Sequence, residues 1–341
     1  MVFTGQMVSN KPKADWSKGV NVQEIGVALP FSKIDWRELR APGSPWIRIA
    51  RGLWFKSRNV GKPWQIREYI HWERVKHVLN ISGEGSILDG LTAALAWGLP
   101  VEPTTNIEIL TGIHTSRRTS IYSGYGTEDV KVVRSSRTLP REAFTTVKGL
   151  RVLALEYLCV ELLARFPARV SIPIVDAAVR RMIDPQLVYR QVCEREFATV
   201  RERLFGILAR RKDRRGCRRA AWALNFVSIW AESPGESLLR LAVFNAGLPT
   251  PVEQLEIVAN GRRYYADLGF PAYGVIFEFD GRIKYAGSNT ADVVYREKLR
   301  EDAIREFYPH VRRFVWGDFT GGAVKSRLEE VKHRFFDARA G

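Results

Sequence analysis

Several acidic side chains stand where a folding core would not choose them. In GVIFEFDGRIKY, Val275, Phe277 and Phe279 alternate with Ile276, Glu278 and Asp280, the period-two pattern of a strand with unlike faces. Glu278 and Asp280 therefore project the same way from a strongly apolar run. An unpaired charge in such a place is expensive and usually has a partner, often a cation. Asp267 in the preceding apolar segment and Glu236 upstream add two more carboxylates. Oxygen donors of this kind suit a hard divalent cation such as Mg2+ or Mn2+. A bound ion of that type activates a water and neutralises charge growing on a phosphate, which is the chemistry of phosphodiester hydrolysis.

The elements that must position these acids are readable nearby. Asn260-Gly261 signals a type I′ hairpin, with Arg262 to Leu268 as the returning strand that carries Asp267. Ser233 can cap a helix running from about Glu236, whose Leu238, Leu239, Leu241 and Phe244 give it an apolar side. Glu236 and Arg240 stand one helical turn apart and can pair. A late strand, HVRRFVW, is followed by Asp318, expected to cap a last helix over 324–336 that docks through Leu328, Val331 and Phe335.

This order of a helix acid, a strand Asp and a following strand with Glu resembles the restriction-endonuclease-like (PD-(D/E)xK) superfamily, in particular the branch around the very-short-patch mismatch-repair endonuclease. The resemblance covers residues 232–319 and implies a mixed sheet flanked by helices. It implies Glu236 as the helix acid, Asp267 as the metal-binding aspartate and Glu278 as the second acidic ligand, with Mg2+ or Mn2+ as cofactor. Asp280 stands where the superfamily places Lys, and is a further ligand or water-positioning group. Lys284 stands where this branch often has His, and is the candidate cation for the phosphate or the attacking water. Gln254 either orients the phosphate or is an ordinary edge glutamine.

A chain of 341 residues suggests two or three domains, and 45% apolar with 26% charged residues is the balance of a globular protein. No uninterrupted apolar run reaches a membrane span and the opening MVFTGQMVSNKPKADW lacks a hydrophobic signal core, so a cytoplasmic location without a membrane partner is expected. Cys159, Cys193 and Cys217 are far apart and show neither zinc nor disulfide spacing. The net charge of +16 is unevenly placed: residues 232–341 hold 16 basic and 16 acidic side chains, leaving 37 basic against 21 acidic in residues 1–231. Such an excess is the footprint of a polyanion, here double-stranded DNA as the expected partner.

The upstream chain divides into a flexible arm (1–20), a winged-helix-like module (21–62) and a basic α+β region (63–231), before the endonuclease-like domain (232–341). In the module, Ile34 to Leu39 reads as a helix and WIRIARGLW (46–54) as a strand with Gly52 near its end, decorated by Arg48 and Arg51. Through LRAPGSPWIRIARGLWF it resembles the N-terminal module of the type IV abortive-infection antitoxins, which implies a degenerate winged helix. SILDGLTAALAWGLP, with the strands and helix after it, extends that resemblance to about residue 230, which implies a toxin protein as an alternative partner.

Within the basic region, helices are expected over 64–79, from Leu88 to Leu99, over 150–166 and 173–182, and a longer helix or pair over 184–208. Strands are expected near 106–111, 120–122 and 130–134. HTSRRT puts Arg117 and Arg118 in a turn, and ARRKDRRGCRRAAW (209–222) is the densest basic run, with Arg210, Arg211, Arg214, Arg215, Arg218 and Arg219 as candidate phosphate contacts, either as a helical collar or as a loop-helix junction. No P-loop, GxGxxG or nucleophile elbow occurs. The expected fold class is a multidomain mixture of α+β and α/β. The expected function is DNA binding with metal-dependent endonuclease activity. The alternative is a catalytically silent regulator or antitoxin that binds DNA or a toxin.

Overall fold

Two-residue turns with both central residues at positive φ set much of the strand pairing. The computed structural model describes residues 26–58, 63–83, 85–101, 106–111, 119–121, 130–281, 304–320 and 322–337. Among these the chain is mixed α and β with open sheets, and it divides into two compact units, 1–98 with 102–153 and 99–101 with 154–341. The expected junction at 231/232 falls inside the second unit.

In the first unit, strands β1 (Gly26–Pro30), β2 (Trp46–Ala50) and β3 (Leu53–Ser57) form an antiparallel sheet in the order β1-β3-β2. WIRIARGLW is thus a hairpin rather than one strand, because Gly52 at φ +78° turns the chain between β2 and β3. Helix α1 (Trp36–Arg40) is capped by Asp35, whose Oδ1 accepts from the Arg37 N–H at 2.9 Å. Helix α2 (Pro63–Ile81) buries Ile66, Ile70, Val75 and Val78, and carries Arg74, whose Nε donates to the Ile49 carbonyl of β2 at 2.8 Å.

A six-stranded sheet in the order β6-β7-β5-β4-β9-β8 comprises β4 (Ile87–Leu88), β5 (Ile107–Leu110), β6 (Thr119–Ile121), β7 (Val130–Ser135), β8 (Phe144–Val147) and β9 (Leu150–Leu153). Helix α3 (Gly90–Ala96) follows β4, and Asp89 before it accepts from Arg137 and from the Ser135 hydroxyl. The expectation of a helix over the whole of 150–166 is overturned. Lys148 and Gly149, at φ +49° and +77°, close a hairpin that makes Leu150–Leu153 a strand, and the helix begins only after Ala154.

In the second unit, helices α4 (Leu155–Arg165), α5 (Ala168–Ile183), α6 (Arg190–Arg210), α7 (Cys217–Phe226) and α8 (Pro234–Asn245) lead into the sheet. Helix α5 starts five residues before Pro173, which sits inside it. The sheet order is β10 (Val252–Ala259), β11 (Arg262–Phe270), β12 (Val275–Asp280) and β13 (His310–Val315), antiparallel except for the parallel β12–β13 pair. Asn260 and Gly261, at φ +51° and +70°, make the expected hairpin turn. One face packs Leu268, Phe270, Val275, Phe277 and Phe314 against Leu239 and Val243 of α8 and against Leu328 and Val331 of α9 (Ala323–Val331), with Phe335 and Phe336 beyond it. The other face gathers Ile257, Ala266, Ile276 and Ile304.

His71 on α2 is half-buried with its Nε2 shut off from water, and this desolvation with the nearby Arg74 charge lowers its pKa to about 4 from the ordinary value of 6.5. A histidine lowered in the folded state is neutral there while the unfolded chain takes up a proton below about 6.5, so stability falls as pH drops from 6.5 towards 4. The loss approaches about 3 kcal/mol at the lower end. Urea unfolding at pH 7 and pH 4.5 of the wild type and His71→Phe checks this: the variant's pH dependence should be the shallower by most of that amount.

Candidate active site

The ladder between β11 and β12 runs from Phe270↔Val275 to Leu268↔Phe277 and stops. The next step would place Asp267 opposite Glu278. Instead of continuing the ladder, the Asp267 carboxylate reaches across and its Oδ2 accepts the Phe279 N–H at 2.7 Å. Asp267 is buried, and Glu278 and Asp280 are half-buried. The sequence pattern brings Asp267 and Glu278 to adjoining strands at the point where those strands part. Phe277 and Phe279 pack on the α8 side, so Glu278 between them projects from the opposite face, as Ile276 does.

The same level of the sheet is irregular on its other side. The β10–β11 register passes from Glu253↔Leu268 to Leu255↔Ala266 and skips Gln254 and Asp267. Gln254 has φ +47°, a left-handed conformation that costs a residue other than Gly or Asn of the order of 1–3 kcal/mol and persists only where its surroundings dictate it. They do so here. The buried Gln254 amide donates to Glu236 Oε2 at 3.3 Å, and Arg190 on α6 donates to the Glu253 and Gln254 carbonyls at 2.9 and 3.4 Å.

Glu236 is the third residue of α8. Ser233 Oγ accepts from the Glu236 N–H, while the Glu236 carboxylate accepts from the Glu232 N–H at 2.7 Å and the Ser233 hydroxyl at 2.9 Å. This is a variant of the capping box, in which the acid returns to the backbone just before the cap. Gly235 beside it admits no side chain, since a Cβ there would strike the Phe279 ring. The Glu236 carboxylate is thus held by the helix end and by Gln254, while Asp267 and Glu278 stand on β11 and β12. Among the described residues no three carboxylate, imidazole or thiol side chains converge as a metal cage.

Arg240, one helical turn from Glu236, forms ion pairs with Asp176 on α5 at 2.6 Å and with Glu253 on β10 at 3.2 Å. Asp176 Oδ1 also accepts the Ser228 N–H at 2.9 Å. Burial alone would lower the Arg240 guanidinium, and the Asp176 and Glu253 charges outweigh it, holding it above its ordinary value. Burial in turn pushes the Asp176 and Glu253 carboxyls up, opposed by Arg240. The sequence signal for this group was a lone acid in the apolar run SIPIVDAAV, which implies a buried partner without naming it. Asp318, expected to cap the last helix, instead accepts from the Val315 N–H and from Arg327 on α9, whose N-cap is Gly322.

The basic candidates divide. Arg211 is turned inward to Glu161 at 2.9 Å, Arg219 donates to the Leu163 and Ala164 carbonyls at the end of α4, and Arg214 donates to the Ala209 carbonyl. The run is a loop-helix junction, since α6 ends at Arg210 and α7 begins at Cys217. Gly216 in the junction, at φ +72°, lies so close to the Ala164 carbonyl that a Cβ would collide with it. Arg210, Arg215 and Arg218 are exposed, as are Arg48 and Arg51 in the first unit. Lys284, Arg117 and Arg118 lie outside the described residues.

Set against protein-family models and curated proteins, the chain matches none. Among the described residues no helix is long and apolar enough to cross a membrane.

Removing one member of the buried ion group leaves the guanidinium poorly compensated. Asp176→Ala should therefore cost about 3–5 kcal/mol in denaturant unfolding. Glu236→Ala, as a cap, should cost only about 0.5–2 kcal/mol, with Glu236→Gln recovering part of it.

Proposed function

We propose that this chain is a nucleic-acid-binding protein whose second unit hydrolyses phosphodiester bonds with a divalent cation. The observation that carries the reading is the parting of β11 and β12 at Asp267 and Glu278. Support comes from the surrounding architecture: a mixed sheet of four strands with α8 and α9 packed on one face, in keeping with a restriction-endonuclease-like domain. The small β1-β3-β2 sheet with α1 is read as the degenerate winged-helix-like, antitoxin-like module, its exposed Arg48 and Arg51 available to phosphates.

Two carboxylates on neighbouring strands, with Asp280 two residues on, are hard oxygen donors. Mg2+ is commonly bound through one or two carboxylates and keeps several of its waters, so the donor set fits it without a third protein acid. Asp267 and Glu278 would hold the ion, which when bound supplies an acidified water and charge neutralisation at the phosphate. The Phe279 N–H fixes one Asp267 oxygen and so orients the other. Gln254 and Glu236 hold the β10 side of the site rigid rather than touching the ion. Lys284 is the proposed cationic group toward the phosphate, and the exposed arginines of the 210–218 junction hold the strand by its backbone.

A second reading, a catalytically silent regulator or antitoxin, is favoured by two observations: Asp280 occupies the position of the superfamily's Lys, and Glu236 is committed to a helix cap.

Supercoiled plasmid incubated with the full chain and Mg2+ or Mn2+ separates these readings. Hydrolysis predicts nicking that is abolished by EDTA and falls at least about 100-fold in Asp267→Ala and in Glu278→Ala. No nicking, with gel shifts of duplex that persist in EDTA, replaces it by the silent regulator. Lys284→Ala should retain binding and lose cleavage.

A further inference from the structure

The second unit carries an aromatic surface that the hydrolytic reading does not use. On α7, Arg218, Trp222 and Asn225 recur at helical spacing and are exposed. Trp222 is 37% exposed and lies nearly parallel to Phe226, with ring centroids 5.3 Å apart and an interplanar angle of 14°. Phe244 on α8, 50% exposed, completes the group at 5.5 Å from Trp222 and 5.3 Å from Phe226. The buried Arg240 guanidinium lies 4.4 Å from the Phe226 ring centroid, and it donates to the Phe226 carbonyl. The ring stack is thus anchored to the ion group of the interior while Trp222 and Phe244 stay open to solvent.

An exposed Trp and Phe lose free energy to water unless something covers them. What covers them is indicated by charge. The junction leading into α7 has seven basic residues between 210 and 219 against one acid, Asp213. Arg211 is turned inward to Glu161 and Arg219 is bonded to carbonyls at the end of α4, but Arg218 is exposed one helical turn before Trp222, and Arg210, Lys212 and Arg215 are exposed in the junction that leads into the same helix. An aromatic platform beside a cationic track matches a single-stranded polynucleotide, whose unpaired bases stack on rings while its phosphates follow the cations. A duplex satisfies only the cationic half, because its bases are already stacked on one another.

We propose that Trp222 and Phe244 form a base-stacking platform for single-stranded nucleic acid, with Arg215 and Arg218 holding the adjoining phosphates. The proposal rests on nucleic acid as the partner of this chain and not on hydrolysis.

The test uses the full chain in EDTA, so that cleavage plays no part, with a fluorescein-labelled oligothymidylate of about 20 nucleotides and a duplex of equal length followed by anisotropy. Trp222→Ala should weaken oligothymidylate binding about 5- to 150-fold, the effect of losing one stacked base, and leave duplex binding unchanged. Trp222→Phe should restore most of the loss, the unchanged duplex binding reporting that the variants are folded, and Phe244→Ala should weaken the single strand in the same direction. Arg218→Ala should reduce the salt slope for the single strand by about 0.7. Equal losses for single strand and duplex in Trp222→Ala, or no loss for either, overturn the platform. So does self-association in sedimentation that Trp222→Ala abolishes while oligothymidylate binding is unchanged, since the rings would then cover a second copy of the chain. Nicking and stacking fail independently: a chain that never cleaves can still lose oligothymidylate affinity in Trp222→Ala.

Discussion

The second unit is organised around one guanidinium. Arg240 leaves α8 into the interior and is held there by Asp176 from α5 and Glu253 from β10, so helix, helix and sheet share a single ionic centre. Such a group is weak as a source of stability when weighed against an apolar replacement, but each member is costly to remove alone. Arg190 reinforces it by donating to the Glu253 and Gln254 carbonyls. Everything proposed for the sheet depends on β10 being fixed in this way. Were β10 free to slip by one residue, every side chain on it would change faces.

Fixing β10 also fixes the irregular step next to it. Glu253 is held by Arg240 and Gln254 by Glu236, and between these anchors the strand adopts a left-handed residue and turns its alternation over. On β11 the same reversal separates Leu268, facing α8, from Ala266, facing the opposite cluster. Asp267 stands at that reversal, outside the regular ladder on both sides, and its carboxylate can therefore cross to the Phe279 N–H. Local disorder in a ladder is thus produced by order in the layer behind it.

Range in sequence separates the features that were legible from those that were hidden. Asn260-Gly261 and the alternation around Glu278 are local signals and predict their strands correctly. Ser233 as helix cap is also local, and it forms as expected. Lys148-Gly149 is just as local, but the leucines after it match a helical period well enough to hide a four-residue strand. Arg240 shows the other limit. Spacing offers Glu236 one turn away, whereas the partners that win lie 64 residues upstream, on α5, and on the next sheet strand. No periodicity contains that choice, because it is made by burial. The basic run behaves likewise: charge density was legible, but not that Arg211 would be drawn inward by Glu161 or that Arg219 would be bonded to the carbonyls ending α4.

The parallel β12–β13 pair has a consequence for how the chain is made. Val275 lies beside His310, so 34 residues must emerge after Val275 before its neighbour exists, and no tight turn can bring the two together early. During synthesis β10, β11 and β12 all emerge before β13, so a sheet of these three strands alone would present β12, with Val275 and Phe277, as a bare apolar margin. A margin of that kind recruits any strand within reach, including that of another nascent copy. The late strand β13 therefore acts as a seal on that margin as well as a structural element.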